Sequence, residues 1–274
     1  MKWVACLFIS VLTSQLAHSQ INSGSILIFQ LAHDKFLMAA DSRMMLEGKA
    51  SDGNCKIAAF GDHLVFGVTA SPKYIPLVVD LAPAWDAMKE VKNAITLTAL
   101  SQGNSAARVI AIADTWARHM HFNWQNLFSI HPELVRKVAE DDNGGLTEGV
   151  FAAGGNGDIA LTARRINFTN DIITIEYADF ISTCGVAICA SGMLDIFTEY
   201  TKKTSQRAKD ESWTFPPSLL GRTSPEMLRI VRLVDLAIAY DQSGTVGGSI
   251  DAVELDADGS IHWFQNPNCP ETYQ

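Results

Sequence analysis

Three places along the chain hold residues that could together carry out acyl transfer: Ser25 after Gly24, the triplet Asp41-Ser42-Arg43, and Lys56. A serine hydroxyl is a weak nucleophile at neutral pH and needs a base to take its proton, with positive charge nearby to favour the alkoxide. A carboxylate and two cations are the groups from which such a site is built. Taken singly, each has a plainer reading. Ser25 opens a strand, Asp41 and Arg43 are an i,i+2 ion pair in a solvated turn that contributes little, and Lys56 is a surface lysine. Other groupings carry less. His119 and His121 lie two apart on a helix and point away from each other, which argues against a shared metal. The C-x4-C spacing of Cys184 and Cys189 has no matching His or Cys pair for zinc. Gly154-Gly155-Asn156-Gly157 lacks the lysine and following helix of a phosphate loop, so it reads as a hairpin turn. No cofactor and no metal are expected.

Whether the three places meet depends on the elements around them. Ser25 to Gln30 and Phe36 to Asp41 are apolar runs joined through His33-Asp34-Lys35, the signature of a hairpin. Lys56 to Phe60 and Leu64 to Thr69 form a second pair around Gly61-Asp62-His63. Helical periodicity follows from about Tyr74. Its clearest stretch is capped by Asn104-Ser105 and carries Val109, Ala113, Trp116, Ala117 and Met120 on one face. Another helix begins at Pro132 and stops at Asn143-Gly144. Strands return over Glu148 to Ala153, Ile159 to Ile166 and Asp171 to Tyr177. Helices are expected again from Gly192 to Gln206 and from Ser224 to Tyr240, with Asp210 to Gly221 as a mobile loop between them. Ser249 to Leu255 and Ser260 to Phe264 close the chain as a hairpin around Asp256-Ala257-Asp258-Gly259. Hairpins imply antiparallel sheets, and helices in pairs imply helical layers outside them. The expected fold is therefore α+β, a four-layer α-β-β-α sandwich of two antiparallel sheets. In that hairpin order the start of the first strand, the end of the second and the start of the third lie side by side.

With those residues in place, the stretch from Ser25 to Ser71 resembles the opening of proteasome β-type subunits and of the related bacterial self-compartmentalising protease. Ser25 to Asp41 is the family's spacing of sixteen residues, and Lys56 is fifteen beyond Asp41, one short of it. Tyr240-Asp241-Gln242-Ser243-Gly244 and Gly247-Gly248-Ser249-Ile250-Asp251 resemble the family's late helix, turn and final hairpin. The likeness implies an N-terminal nucleophile hydrolase that cuts itself between Gly24 and Ser25 and uses the freed serine. An α-amino group, with a reference pKa of about 7.7–8.0, can take the hydroxyl proton directly or through a water. Lys56 would place positive charge beside Oγ, Asp41 would hold the ammonium, and Arg43 would brace Asp41. Amides near Gly67-Val68 would stabilise the oxyanion, while Asp241 and Ser243 would hydrogen-bond the new amino terminus. Met45 and Ser71 would shape the substrate pocket. The chain departs from the family in having serine for threonine at the nucleophile and Val68 near a usual glycine. In one register Ala190-Ser191-Gly192 matches the family's Gly-Ser-Gly turn before its third helix, and in another it aligns with the helix itself; the first makes Ser191 a further site candidate.

The rest of the composition sets the context. Trp3 to Leu16 is apolar, follows Lys2, and leads into Ala17-His18-Ser19, a signal-peptidase pattern. Residues 1–19 therefore read as a signal peptide, 20–24 as a short propeptide, and 25–274 as one domain that is secreted or periplasmic. At 47% apolar and 19% charged, with a formal net charge of −9, the 274-residue chain is globular and unsuited to nucleic acid. No apolar run after residue 20 reaches the ~20 residues of a membrane span. Cys55, Cys184, Cys189 and Cys269 remain after signal removal and permit two disulfides in any of three pairings. The expected partners are a peptide or small amide substrate and further copies of the chain in a homo-oligomeric ring. The alternative is a non-catalytic secreted subunit or binding protein that keeps the fold and is never processed.

Overall fold

The computed structural model describes residues 20–21, 25–46, 49–61, 63–76, 82–98, 105–178, 188–192, 224–265 and 268–270. β1 (Gln20–Ile21) precedes the hairpin β2 (Ile26–Ala32) and β3 (Lys35–Asp41), whose turn is made by His33 in the left-handed region. A short ribbon, β4 (Met44–Leu46) and β5 (Lys49–Ser51), leads to β6 (Ile57–Phe60) and β7 (Leu64–Ala70). After β8 (Lys73–Ile75) and β9 (Trp85–Asp86) come three helices, α1 (Ala87–Thr98), α2 (Ser105–Ile130) and α3 (Pro132–Asp141). Three long strands follow, β10 (Gly145–Gly155), β11 (Asp158–Thr169) and β12 (Ile172–Ala178), then β13 (Ile188–Gly192). α4 (Pro225–Tyr240) and the hairpin β14 (Ile250–Asp256) and β15 (Ile261–Gln265) complete the described elements.

The sandwich of two sheets expected from the hairpins is corrected by the strand pairing. Among the described residues all pairs are antiparallel, but they fall into four sheets: β1-β8-β9, β12-β11-β10-β7-β6, β13-β2-β3-β14-β15, and β4-β5. Segments of two or three residues carry too few side chains to show a period of two, so β4, β5, β8 and β9 are invisible to pattern reading. Of the second helix pair, the one expected from Ser224 to Tyr240 is seen as α4, and the helix expected from Gly192 to Gln206 meets the described residues at Gly192 alone. Residues 188–192, at the start of the expected Gly192 helix, are a strand, and Gly192 has φ +93°, which no helix accommodates. The remainder of that helix and the expected Asp210 to Gly221 loop lie outside the described residues.

Apolar burial explains the placement of the rest. Trp116, Trp124, Val109 and Met120 of α2 pack with Phe66 and Phe151 from β7 and β10. Gly149 makes this possible, because a Cβ there would sit 2.8 Å from the Trp116 ring. Both indole N–H groups are satisfied, Trp116 by the Ala87 carbonyl and Trp124 by Thr147 Oγ1. A second cluster joins the two five-stranded sheets through Leu27, Phe29, Met38, Val65, Val150 and Val253. A third seats Met227, Ile230, Val231 and Val234 of α4 on the other side of β2 and β3. Ser224 caps α4 by accepting from the Met227 amide, with Pro225 in the first turn, as its sequence implies. His119 faces Glu90 and His121 the Ile173 carbonyl, so the two imidazoles do point apart. No helix among the described residues is long and apolar enough to cross a membrane.

Candidate active site

The β2–β3 hairpin and the start of β6 do bring the three places together. Asp41, the last residue of β3, is fully buried, and its carboxylate is the hub. Oδ1 accepts from Lys56 Nζ at 2.7 Å and from the Ile26 amide at 2.9 Å. Oδ2 accepts from the Gly247 amide at 3.0 Å and the Arg43 amide at 3.2 Å. One oxygen thus joins the Lys56 ammonium to the residue that follows Ser25. Lys56 is 1% exposed, and burial pushes its pKa down while Asp41 and Asp251 oppose that shift. Ser25 is itself buried, and its Oγ has no hydrogen-bond partner among the described residues. Gly24, the expected cleavage partner, lies outside them.

Arg43 acts differently from the expectation. Its guanidinium forms a two-pronged ion pair with Asp52 at 2.7 and 3.0 Å, and only its backbone amide reaches Asp41. The guanidinium lies against Gly247, where a Cβ would come within 2.5 Å of it, and donates to the Gly244 carbonyl. It therefore braces the turn whose Gly247 amide holds Asp41. Asp241 and Ser243 shape the same turn. The Asp241 carboxylate, at the end of α4, accepts from the Ser243 amide and hydroxyl and from the Val246 amide. Burial works against its ionisation, yet these hydrogen bonds keep its pKa below the ordinary value. Its bonds go to the turn itself.

Of the expected oxyanion donors, the Val68 amide is already engaged within the fold. The Val68 amide donates to the Lys56 carbonyl at 3.0 Å and so fixes the lysine's backbone. Gly67 faces the core between the sheets, where a Cβ would lie 2.6 Å from Met38 Sδ. Met45 is half-buried on the β4-β5 ribbon, and Ser71 is buried just after β7. Ser191 is nearer the centre: β13 pairs with β2, so Ser191 faces Leu27 and Gly192 faces Ile26. A Cβ at Gly192 would sit 2.1 Å from the Ser25 carbonyl oxygen, so only glycine lets β13 close over Ser25.

Ser191 Oγ meets Thr69 Oγ1 at 2.6 Å and hydrogen-bonds Glu148, at the wall of a cavity of about 530 Å³. Arg165, Asp142 and Glu148 line it. Burial raises the pKa of Glu148, and it raises that of Asp142 to about 6 against the pull of Arg165. The folded chain thus holds the Asp142 proton more tightly than the unfolded chain. The resulting stability is complete below about pH 4 and is lost as pH rises through about 6. Asp142→Asn should therefore melt with the wild type at pH 4 and be about 3 kcal/mol more stable at pH 7, since the carboxyl's pKa lies roughly two above its ordinary value. Equal melting temperatures at both pH values would refute this.

Sequence reasoning missed Asp251, Glu148 and Asn268. Asp251 is fully buried on β14, and its carboxylate accepts from the Asn268 amide at 3.2 Å and side chain at 3.4 Å. The signal was present, because Asp251 shares its strand face with Val253 and Leu255, both in the inter-sheet core. A carboxylate at an inward position of an alternating strand needs a partner. Of the three cysteine pairings, the structure contains the one joining Cys55 to Cys269, and Cys189 is also disulfide-bonded. No protein-family model matches this chain, and no curated protein matches it.

Proposed function

We propose that the chain is an exported N-terminal nucleophile hydrolase of the proteasome-like type, which cleaves amide or peptide bonds with Ser25. The observation that carries this reading is the Asp41 carboxylate, whose one oxygen ties a buried ammonium to the amide beside a buried serine hydroxyl that has no partner among the described residues. In the first reaction Ser25 Oγ attacks the Gly24 carbonyl carbon, and the acyl group passes from nitrogen to oxygen. Water then hydrolyses the ester, releasing the propeptide carboxylate and leaving Ser25 with a free amine and hydroxyl. In later turnovers that amine takes the hydroxyl proton and returns it to the leaving group, while Lys56 stabilises negative charge on Oγ. Asp41 keeps Lys56 in place throughout.

The segment ahead of Ser25 supports an extended peptide as substrate. Gln20 and Ile21 pair antiparallel with Ile75 and Tyr74, so part of the segment before the proposed bond lies as a strand on β8. An edge strand accepts another extended backbone by the same hydrogen bonds. After cleavage and release, β8 is free for a peptide or acyl-amide in the same register.

The mass of the mature secreted chain tests this directly. The wild type should begin at Ser25 and a Ser25→Ala variant at Gln20, with processing lost by at least about a thousandfold for want of a nucleophile. Chains that both begin at Gln20 would overturn the hydrolase reading in favour of a non-catalytic protein.

A further inference from the structure

We propose that Asp251 is a positioning residue for Lys56, a buried second carboxylate that the carboxyl-terminal segment clamps in place so that Lys56 stays an ammonium beside Asp41. For its meaning in catalysis this rests on the hydrolase reading. The electrostatic claim about Lys56 stands or falls without it.

The geometry is a closed bracket. Ala40 and Asp251 are direct partners in the β3–β14 ladder, so Asp251 stands one residue from Asp41 on the adjoining strand. β14 also touches β6, which Lys56 immediately precedes. Asn268 donates its backbone and side-chain N–H groups to the two oxygens of Asp251, and its side chain donates to Ser249 Oγ. The next residue, Cys269, is bonded to Cys55, the residue before Lys56. The carboxyl-terminal segment thus grips Asp251 with one residue and the Lys56 backbone with the next. Asn268 also approaches Gly53 in the loop leading to Lys56, where a Cβ would lie 3.4 Å from Asn268 Oδ1.

A second carboxylate in reach helps a buried lysine stay charged, because desolvation of an ammonium is expensive. Among the described residues, the charged groups acting on Lys56 include Asp41 by direct contact, Asp251 across the ladder, Asp52 from the loop before it, and Arg43 as an opposing cation. Asp52 is already engaged by Arg43, so those two largely cancel at Lys56. Asp251 is then the second net negative charge that the ammonium feels. Its own pKa is raised by burial and by Asp41, while the Asn268 bonds and Lys56 pull it the other way and favour the carboxylate.

The experiment is an NMR titration of the full secreted chain labelled with ¹³C at lysine Cε, with the Lys56 signal identified by its loss in Lys56→Met. In Asp251→Asn the Lys56 midpoint should fall by about one pH unit, and Asp251→Glu should restore most of it. The alkaline limb of self-processing should move down by the same amount. Should Asp251→Asn fail to fold, Asn268→Ala tests the clamp, with a smaller fall in the same direction. An unmoved Lys56 midpoint in a folded Asp251→Asn chain, or in folded Asn268→Ala if the first does not fold, overturns the proposal. The hydrolase reading fails separately, if the wild type never begins at Ser25. A wild type that begins at Gln20 while the midpoint still falls in Asp251→Asn would retain the proposal and remove the reading.

Discussion

Asp41→Ala should lower the folding free energy by about 3–5 kcal/mol and abolish processing at Ser25. Removing the carboxylate leaves Lys56 charged at 1% exposure with its direct partner gone. It also strips acceptors from the Ile26, Arg43 and Gly247 amides at once. In a chain of this size the loss appears as a fall in Tm of roughly 10 °C. The informative partner is the double variant Asp41→Leu with Lys56→Met, in which no charge is stranded. Replacing a buried ion pair by apolar side chains of similar volume is often neutral. The double variant should therefore recover most of the lost stability while processing stays absent. That separates the structural contribution of the pair from its chemical one. A single Asp41→Ala variant that melts with the wild type would contradict the buried hub, and a double variant that still processes would remove Lys56 from the mechanism.

The second large effect concerns the disulfide. Cys55 and Cys269 are 214 residues apart, so the bond closes most of the described chain into one loop. Chain-entropy arguments put the stabilisation from a loop that long at about 4–5 kcal/mol, and Cys55→Ser with Cys269→Ser should lower Tm by roughly 10 °C. The variant should process Ser25 more slowly as well, since the bond holds the residue beside Lys56 to the residue beside Asn268. A change in Tm below about 2 °C would show that hydrogen bonds alone seat the carboxyl-terminal segment.

Several elements were legible because their residues encode them locally. Pro132 opens α3 as its sequence implies, and Asn143 and Gly144 end it in the left-handed region. The apolar stripe of α2 and the Ser224 cap of α4 could be read without the rest of the molecule. The hairpins carrying Ser25, Asp41 and Lys56 were equally plain, since each is an apolar run on either side of a turn. Spacing along the chain therefore identified the residues that the fold brings to Asp41.

What remained undetermined was non-local. Arg43 had two acids within reach, and whether it meets Asp41 or Asp52 depends on where the loop before Lys56 folds back. Val68 offers an amide that either a substrate or the Lys56 carbonyl could take, and only strand pairing assigns it to Lys56. Gly192 reads as a helix start because nothing local reveals that it ends a strand paired with β2, more than 150 residues earlier. The sequence by itself determined the residue types, the capped helices and the hairpins, since those depend on neighbours a few positions away. The tertiary structure alone decided the four-sheet arrangement, the Cys55–Cys269 pairing and the convergence of Asp251 and Asn268 on Lys56. Those contacts join segments distant in the chain, and burial of charge in the shared core, which no local window measures, selects among them.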